Sequence, residues 1–502
     1  MEQYLTPTQL AKKLKISRQA VIERIKRGAI KAAKVGQQYI IPEQEAQELK
    51  LGTGGEKNYF SPETKQAKIL RLVKEKQIKT IQLWFVDILG TLKCISITNG
   101  ELEEALNHGK GFDGSSVTGF AEAQESDIIA KPDPNTFTIL PWTKKDFPIG
   151  RMFCDVLNPD GTPYAGDPRF ALKRILERAQ AMGFTFYVGP EIEYFYFKTD
   201  KSPEVLDEGT YFELIPNDIA NNLRNRTVRT LEDMGIVIEA SHHEVSPSQH
   251  EIDPKYSEAL KSADNIITCR FVIKEIAQQQ GVYATFMPKP IFGVNGTGMH
   301  LHESLFCGMR NAFFDKKDKY TLSSTAKQFI AGQLKHAREI CALTAQWVNS
   351  YKRLVAGYEA PVYISWAQRN RTALIRVPLY RPGNEQATRA ELRCPDPSCN
   401  PYLAFAVMLA AGLEGIEKKY AISDPVEPNI YEMEMEERKR RGLLSLPGNL
   451  FEAIEETKNS ALVRQSLGEH IFTRFLLNKE REWEEYRIQI TSHEIKKYLP
   501  IL

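Results

Sequence analysis

The sequence predicts an α+β protein in which a small winged helix-turn-helix head precedes a larger body of mixed strands and helices. Three observations predict it. The charge is uneven: 66 Lys and Arg nearly balance 64 Asp and Glu over the whole chain, yet residues 1–50 hold ten basic against five acidic side chains, leaving 56 against 59 in the other 452. A basic head on a slightly acidic body reads as two functions in one chain. The first fifty residues carry two capped amphipathic patterns separated by a short turn. From residue 61 onward, helical and extended patterns alternate. With 502 residues, 42% of them hydrophobic and 26% charged, the composition is that of a globular enzyme. At roughly 150 residues per domain, about three domains are expected. Disordered, collagenous and disulfide-scaffold classes are excluded. The longest apolar stretch, 402–413, is far short of the roughly 18 residues a membrane-spanning helix needs. The amino terminus shows no apolar signal region, and the seven cysteines include no C-x-x-C pair. Reduced thiols and a cytoplasmic protein are expected.

In the head, Thr6-Pro7-Thr8-Gln9 reads as a helix start, with a Thr N-cap, Pro at the first helical position and Gln completing a capping box. Leu10, Ala11 and Leu14 form its apolar stripe. Ser17 caps a second helix whose apolar face is Ala20, Val21 and Ile25, and Gly28 stands where that helix would end. Residues 32–41 read as a hairpin turning at Gly36-Gln37, and Pro42 opens a third helix. Arg18, Gln19, Arg24, Lys26 and Arg27 lie on or beside the second helix. Arg and Gln near the start of such a helix reach base edges, while other cations meet phosphates. The segment resembles the winged helix-turn-helix domains of excisionases and MerR-type regulators, which implies DNA binding. The competing reading is a solvated basic cap used for assembly or solubility. Residues 51–60, glycine-rich at their start, read as a flexible linker closing a 1–50 domain.

The body opens with a hairpin, 80–88 and 91–97, split at Gly90. A helix over 101–108 and a polar glycine loop over 111–116 follow. A second region begins near Asp167, with a helix over 170–182. Four clusters beyond it carry chemistry. Glu191 and Glu193 are two apart in an extended segment and share a face. A lone Glu-x-Glu is usually a solvated face, but aromatic neighbours here make a pair of carboxylates demand counter-charge, for which a metal is one source. In the second cluster, Glu244 and Glu251 flank a Pro turn, beside His242, His243 and His250. The third runs a glycine-rich loop, 293–298, into His300-x-His302. A glycine-rich loop often marks only a tight turn. In the fourth, alternation puts Arg389, Glu391 and Arg393 on one face, which suits either a structural ion pair or an anionic substrate beside a metal. Carboxylates with one imidazole favour Mg2+ or Mn2+ over zinc. Arg353, Arg369, Arg371 and Arg376 add the positive charge of a phosphoryl-transfer site, and no P-loop is present.

Seven motifs now line up in order: FDGSS (112–116), GPEIEYF (189–195), HHEVSPSQHEID (242–253), KPIFGVNGTGMHLH (289–302), NSYKRLVAGYEAP (349–361), NRTALIRVP (370–378) and RAELRCPDPSCNPYLA (389–404). In these the body resembles bacterial type I glutamine synthetase over its whole length. The resemblance implies a β-grasp domain at 61–166 and, at 167–502, a catalytic domain of antiparallel sheet with helices. It further implies a dodecamer of two hexameric rings, with each active site between neighbouring subunits. It implies ATP-dependent joining of ammonia to glutamate through γ-glutamyl phosphate. Residue by residue, Glu193, Glu244 and Glu251 would hold one divalent ion, and Glu191, His300 and Glu391 the other. Asn295, Gly296, Arg353, Glu359, Arg371 and Arg393 would bind glutamate. Glu239, His302, Ser304, Arg371, Arg376 and Arg389 would line the nucleotide site. Asp113, placed in the neighbouring subunit's site, would help deprotonate ammonium, with Ser116, Asp127, Tyr211 and Glu244 completing the pocket. Glu359 would ride on a closing flap, and Arg371 would lie near the transferred phosphate.

Two rivals stand beside this reading: a γ-glutamyl ligase for a larger amine, and a regulator whose ligase body senses metabolites. One departure from the family concerns regulation. Bacillus-type synthetases carry an Arg after FDGSS that takes part in glutamine feedback, and Glu122 stands there in this chain, with the acidic partner retained as Glu482. Weaker glutamine feedback is expected. Tyr431 stands where an adenylylated tyrosine would, with no physical signature of modification around it.

Overall fold

The structure, a computed structural model, describes residues 4–14, 17–26, 30, 32–35, 38–42, 64–120, 127–143, 147–214 and 219–502. The chain divides into two units, 1–64 and 65–502. In the first unit the helix Pro7–Leu14 begins as a capping box: Gln9 N donates to Thr6 Oγ1 at 3.3 Å and Thr6 N donates to Gln9 Oε1 at 2.8 Å. Ser17 Oγ accepts from Ala20 N at 3.1 Å to start the helix Arg18–Lys26. Leu10 and Val21 are fully buried and meet over Ile30 and Ile41. Strands β2 (Ala33–Val35) and β3 (Gln38–Pro42) form the expected hairpin, and a short β1 (Tyr4–Leu5) joins β3 on its other side. Pro42 ends β3 opposite Tyr4. A proline has no N–H to give a ladder, so an edge or a strand end suits it. The expected turn at Gly36-Gln37, the cap at Gly28, the third helix over 43–50 and the linker 51–60 lie outside the described residues.

The second unit contains two sheets. The first has the order β5-β4-β9-β7-β6. Its strands are β4 (Thr80–Val86), β5 (Leu92–Thr98), β6 (Lys110–Asp113), β7 (Asp127–Pro132) and β9 (Ile149–Leu157), with β8 (Thr138–Ile139) paired to β9. β4 and β5 are the predicted hairpin, turning tightly at Gly90, whose φ is +78°. The predicted glycine loop over 111–116 is corrected: 110–113 is a strand paired with β7, and only Gly114–Ser116 turns. Glycines at its start lowered the strand signal, yet pairing with the apolar β7 supplies what local propensity lacks. The helix Pro168–Ala181 starts at Asp167, whose carboxylate caps Arg169 N.

The second sheet has ten strands, with the order β11-β12-β10-β15-β19-β18-β17 along its main path. They are β10 (Thr185–Phe197), β11 (Ile238–His243), β12 (Gln249–Pro254), β13 (Ser257–Glu258), β14 (Tyr283–Thr285), β15 (Met299–Cys307), β16 (Arg310–Asn311), β17 (Tyr363–Ala367), β18 (Ala373–Arg376) and β19 (Ala390–Leu392). All pairings are antiparallel except β17 with β18. The helix Pro401–Glu417, capped by Asn400, buries 14 of its residues. The apolar stretch 402–413 is therefore the core helix of the domain, apolar all round because it is covered all round. No described helix is long and apolar enough to cross a membrane.

Candidate active site

The site is assembled by strand register. Directly opposed residues on antiparallel neighbours share a face. Across the sheet, His242 opposes Glu251 and Glu251 opposes Glu193. Glu191, two residues before Glu193, opposes His300. His302 opposes Glu391, and Glu391 opposes Arg376. Six strands thus bring carboxylates, imidazoles and a guanidinium to one face. The alternate residues Ile192 and Tyr194 point to the other face and are fully buried in the core. A cleft of about 640 Å3 opens over this face.

Within it, ligand atoms of Glu191, His300 and Glu391 lie within 4.8 Å of one another. His300 Nδ1 sits 3.0 Å from one Glu191 oxygen and His302 Nε2 2.7 Å from the other. Burial opposes charge on Glu191, but these two imidazoles overcome it and hold the carboxyl well below its ordinary range. Glu391 accepts from Arg393 and, at 2.6 Å, from Arg376. Burial again opposes charge, and Arg393 with the two imidazoles brings its pKa down to about 2.

A second cluster joins His242, Glu244 and Glu251. His242 Nε2 lies 3.1 Å from Glu251 and its Nδ1 3.4 Å from Glu244. Here burial and like charge act together. Burial and Glu193 push Glu244 up to about 8, and Glu251 rises for the same reasons. Asp253, beside Glu251, is pushed to about 10 by burial and by Glu251, and its Oδ1 is buried without a hydrogen-bond partner among the described residues. Carboxylates crowded into raised proton affinity with an orphaned oxygen fit a hard divalent cation as the missing charge. Glu193 faces the same cleft, but its Oε2 accepts from Gln249 Nε2 and Gly298 N, both at 2.8 Å.

The glutamate candidates Asn295, Gly296, Arg353, Glu359, Arg371 and Arg393 all line this cleft, as does Tyr211. Arg353 is buried and donates to the carbonyls of Arg393, Cys394 and Pro395 at 2.8–3.1 Å. The glycine-rich loop has a reason beyond its turn. A Cβ at Gly298 would lie 2.6 Å from Arg353 Nη2 and 3.1 Å from His300 Nε2. Asn295 Nδ2 donates to Glu359 Oε2 at 3.3 Å. Of the nucleotide candidates, Glu239, His302, Ser304 and Arg389 line an adjoining cavity of about 440 Å3, which shares Glu191 and Asp253 with the cleft. Arg371 and Arg376 stay on the cleft side, and Arg389 Nε lies 2.9 Å from His302 Nδ1.

Asp113, Ser116 and Asp127 do not line the cleft. Asp113 opposes Asp127 on the other sheet, and Ser116 lies in the turn that follows Asp113. Asp113 is exposed and accepts from both the hydroxyl and the backbone N–H of Ser115, which lower its pKa. Sequence reasoning did not assign His242 and Asp253 to the site. Asp253 was within reach, since it follows Glu251 by two in a strand. Which of two adjacent histidines faces the site was not, because the hairpin register decides it. Glu482 is already engaged: Val348 N donates to it at 2.9 Å and the buried Lys479 pairs with it at 2.5 Å. Glu122 lies outside the described residues. On the head, Arg18 and Gln19 are exposed at the start of the second helix. Arg24 and Lys26 belong to that helix, with side chains outside the described part, and Arg27 lies outside the described residues.

Comparison with known proteins agrees with this geometry. The family described as glutamine synthetase, catalytic domain, matches residues 165–498; glutamine synthetase, beta-grasp domain, matches 77–159; and a helix-turn-helix domain matches 4–45. The glutamine synthetase of Methanosarcina mazei is 50% identical over 443 residues, covering 88% of this chain and 98% of its own. That of Thermotoga maritima is 49% identical over 435 residues, covering 86% and 98%. Among solved structures, the ADP complex of GmaS is similar with a TM-score of 0.78 at 30% identity, covering 86% of this chain and 99% of that one. Plasmodium falciparum glutamine synthetase gives 0.78 at 26%, covering 88% and 99%.

Proposed function

Because the chain belongs to the glutamine synthetase family, we propose that the cleft over the ten-stranded sheet is where it joins ammonia to glutamate, with the residue roles that follow. The enzyme is a glutamate–ammonia ligase that makes glutamine at the expense of ATP and uses divalent metal. One observation carries the assignment of the site: a single sheet face gathers two carboxylate–imidazole clusters and several arginines beside a separate cavity.

In this reading Glu191, His300 and Glu391 hold one Mg2+ or Mn2+ ion, and Glu244 and Glu251 with Glu193 or His242 hold a second. Bound there, the ions would neutralise charge developing on the phosphoryl group. Glu239, His302, Ser304 and Arg389 seat the nucleotide, and Arg371 and Arg376 meet the phosphate that moves to the γ-carboxylate of glutamate. Asn295, Gly296, Arg353 and Arg393 orient that glutamate. Ammonium has no lone pair, so a carboxylate must take a proton before nitrogen attacks the γ-glutamyl carbon and phosphate leaves. Asp113 takes it, with Ser116 and Asp127 beside it and Tyr211 and Glu244 across the pocket. Asp113 and Asp127 face each other, Ser116 follows in the turn, and all three lie outside the cleft of their own chain, which supports their serving a neighbouring subunit in a dodecamer of two hexameric rings. Glu359 closes the site against water. A cytoplasmic location fits the substrates.

The test is product formation with ammonium against putrescine and other amines. Ammonium is expected to be strongly preferred. Preference for another amine sinks the assignment. We further propose that residues 1–50 bind DNA through Arg18, Gln19, Arg24, Lys26 and Arg27, weakly singly and more tightly by avidity in the oligomer. The helix-turn-helix match and the exposed start of the second helix support it. Binding of the full-length protein to its own promoter DNA should weaken as salt rises and fall in Arg18→Ala and Arg24→Ala. Salt-insensitive binding, or variants without effect, makes the head structural.

A further inference from the structure

We propose that Tyr431 is the latch of the flap, a positioning residue whose hydroxyl holds 357–360 where Glu359 reaches into the cleft. The proposal rests on reading Glu359 as the flap carboxylate. The flap turn is strained: Gly357 has φ +94° and Glu359 φ +54°. Glycine adopts the left-handed region freely, but for glutamate it is strained by the Cβ. A turn of this kind persists only if it is held from outside.

Three contacts hold it. Lys289 Nζ lies 3.8 Å over the Tyr358 ring. Asn295 Nδ2 donates to Glu359 at 3.3 Å. Tyr431 Oη donates to the Ala360 carbonyl. Their footings differ. Lys289 and Asn295 both belong to the loop that would receive glutamate, and Asn295 would have to share its amide with the substrate. Tyr431 stands on separate ground. Its turn is pinned by the fully buried Ile430, whose N–H donates to Thr372 Oγ1 at 3.2 Å. Asn370 Nδ2 donates to the carbonyls of Val426 and Pro428 at 2.9 and 2.7 Å. Tyr431 also lines the cleft itself. Burial pushes its phenol up to about 12, so it stays a donor at working pH. The latch therefore survives substrate binding, when the Asn295 contact is contested.

What a latch controls is water. If water enters, its oxygen adds to the γ-carbonyl carbon of the acyl phosphate and the carbon–oxygen bond to phosphate breaks. Phosphate leaves, a proton is released, and glutamate is regenerated with ATP consumed.

The experiment measures ADP released per glutamine formed at limiting ammonium, and amide hydrogen exchange at 357–360, in the full-length enzyme, Tyr431→Phe and Glu359→Gln. The wild type is expected to be stoichiometric. Tyr431→Phe keeps the ring beside Tyr363 and should keep the KM for ATP and the melting temperature. It should raise both uncoupled ADP release and flap exchange about fivefold, the effect of one lost hydrogen bond. Unchanged coupling and exchange in Tyr431→Phe, with coupling lost in Glu359→Gln, overturns the latch and leaves the flap reading standing. Coupling kept in Glu359→Gln, or absent in the wild type, overturns the flap reading and the latch with it. Exchange is read on the folded population, so a lowered melting temperature does not remove the test.

Discussion

The two carboxylate clusters of the cleft are built from the same residue types but sit in opposite electrostatic states. Glu191 and Glu391 are surrounded by His300, His302, Arg376 and Arg393, and both carboxyls are held low. Glu244 and Glu251 face one another, Glu193 and Asp253, with His242 as their nearest cationic candidate, and both are held high. Burial is common to both sides. Counter-charge is what differs, and it decides whether a buried carboxylate is an anion or an acid. The first cluster already has arginines and imidazoles against its carboxylates, while the second has His242 alone beside them.

The largest test of this contrast removes one carboxylate from each side. Glu391→Ala and Glu251→Ala should each lower turnover by at least about a hundredfold with the fold retained. The two should part in stability without metal. Loss of Glu391 leaves Arg376 and Arg393 facing each other without their shared anion, and so destabilises. Loss of Glu251 relieves repulsion, and so does not. Melting curves in chelator check this, and equal destabilisation by both variants would sink the contrast.

A second measurement uses protons. A ligand must be deprotonated to bind metal. With the Glu244 carboxyl at about 8, cation affinity at that cluster should rise with pH, up to about tenfold per unit, and level off above it. Titration calorimetry of Mn2+ at pH 7 in buffers of different ionisation enthalpy should show proton release. Affinity that ignores pH would show that the second cluster is already ionised.

A third test uses a control carboxylate with neither arrangement. Glu303 lies on the opposite face of β15, fully buried, with Gln333 Nε2 donating to it at 2.8 Å. Burial pushes its pKa to about 8. The folded state therefore holds a proton that the unfolded chain gives up, and stability from this group is lost as pH rises from the ordinary carboxyl value towards 8. Glu303→Gln should stabilise by a few kcal/mol at pH 8, on the order of 1 kcal/mol per pKa unit of the shift, and by less than about 1 kcal/mol at pH 5, with or without metal. A stabilisation that depends on metal would place Glu303 in the cleft's electrostatics after all.

Much of this was legible in the chain. Caps at Thr6, Ser17 and Asp167 are local, because a side chain reaching an N–H two or three residues on needs nothing distant. The pairing of Glu191 with Glu193, His300 with His302, and Arg389 with Glu391 and Arg393 follows from the period of an extended strand. The seven ordered motifs carried the family, and with it the candidates for the glutamate, nucleotide and metal sites. Where local signals conflicted, the reading failed: the glycines at 111 and 114 promised a loop, but pairing with β7 made 110–113 a strand.

By itself, then, the sequence determined which residues share a face within each strand, where helices start, and that a basic head precedes a ligase body. The tertiary structure alone decided which strands are neighbours and in what register. That choice set His242 rather than His243 against Glu251, engaged Glu193 with Gln249 and Gly298, and gave one cluster its arginines while withholding them from the other. It also put the Tyr431 hydroxyl against the Ala360 carbonyl and kept Asp113 out of its own chain's cleft. The physical reason is range. Strand period and helix caps act over two to four residues, whereas register is fixed by hydrogen-bond ladders between strands far apart in sequence, and counter-charge depends on what those ladders bring within a few ångströms.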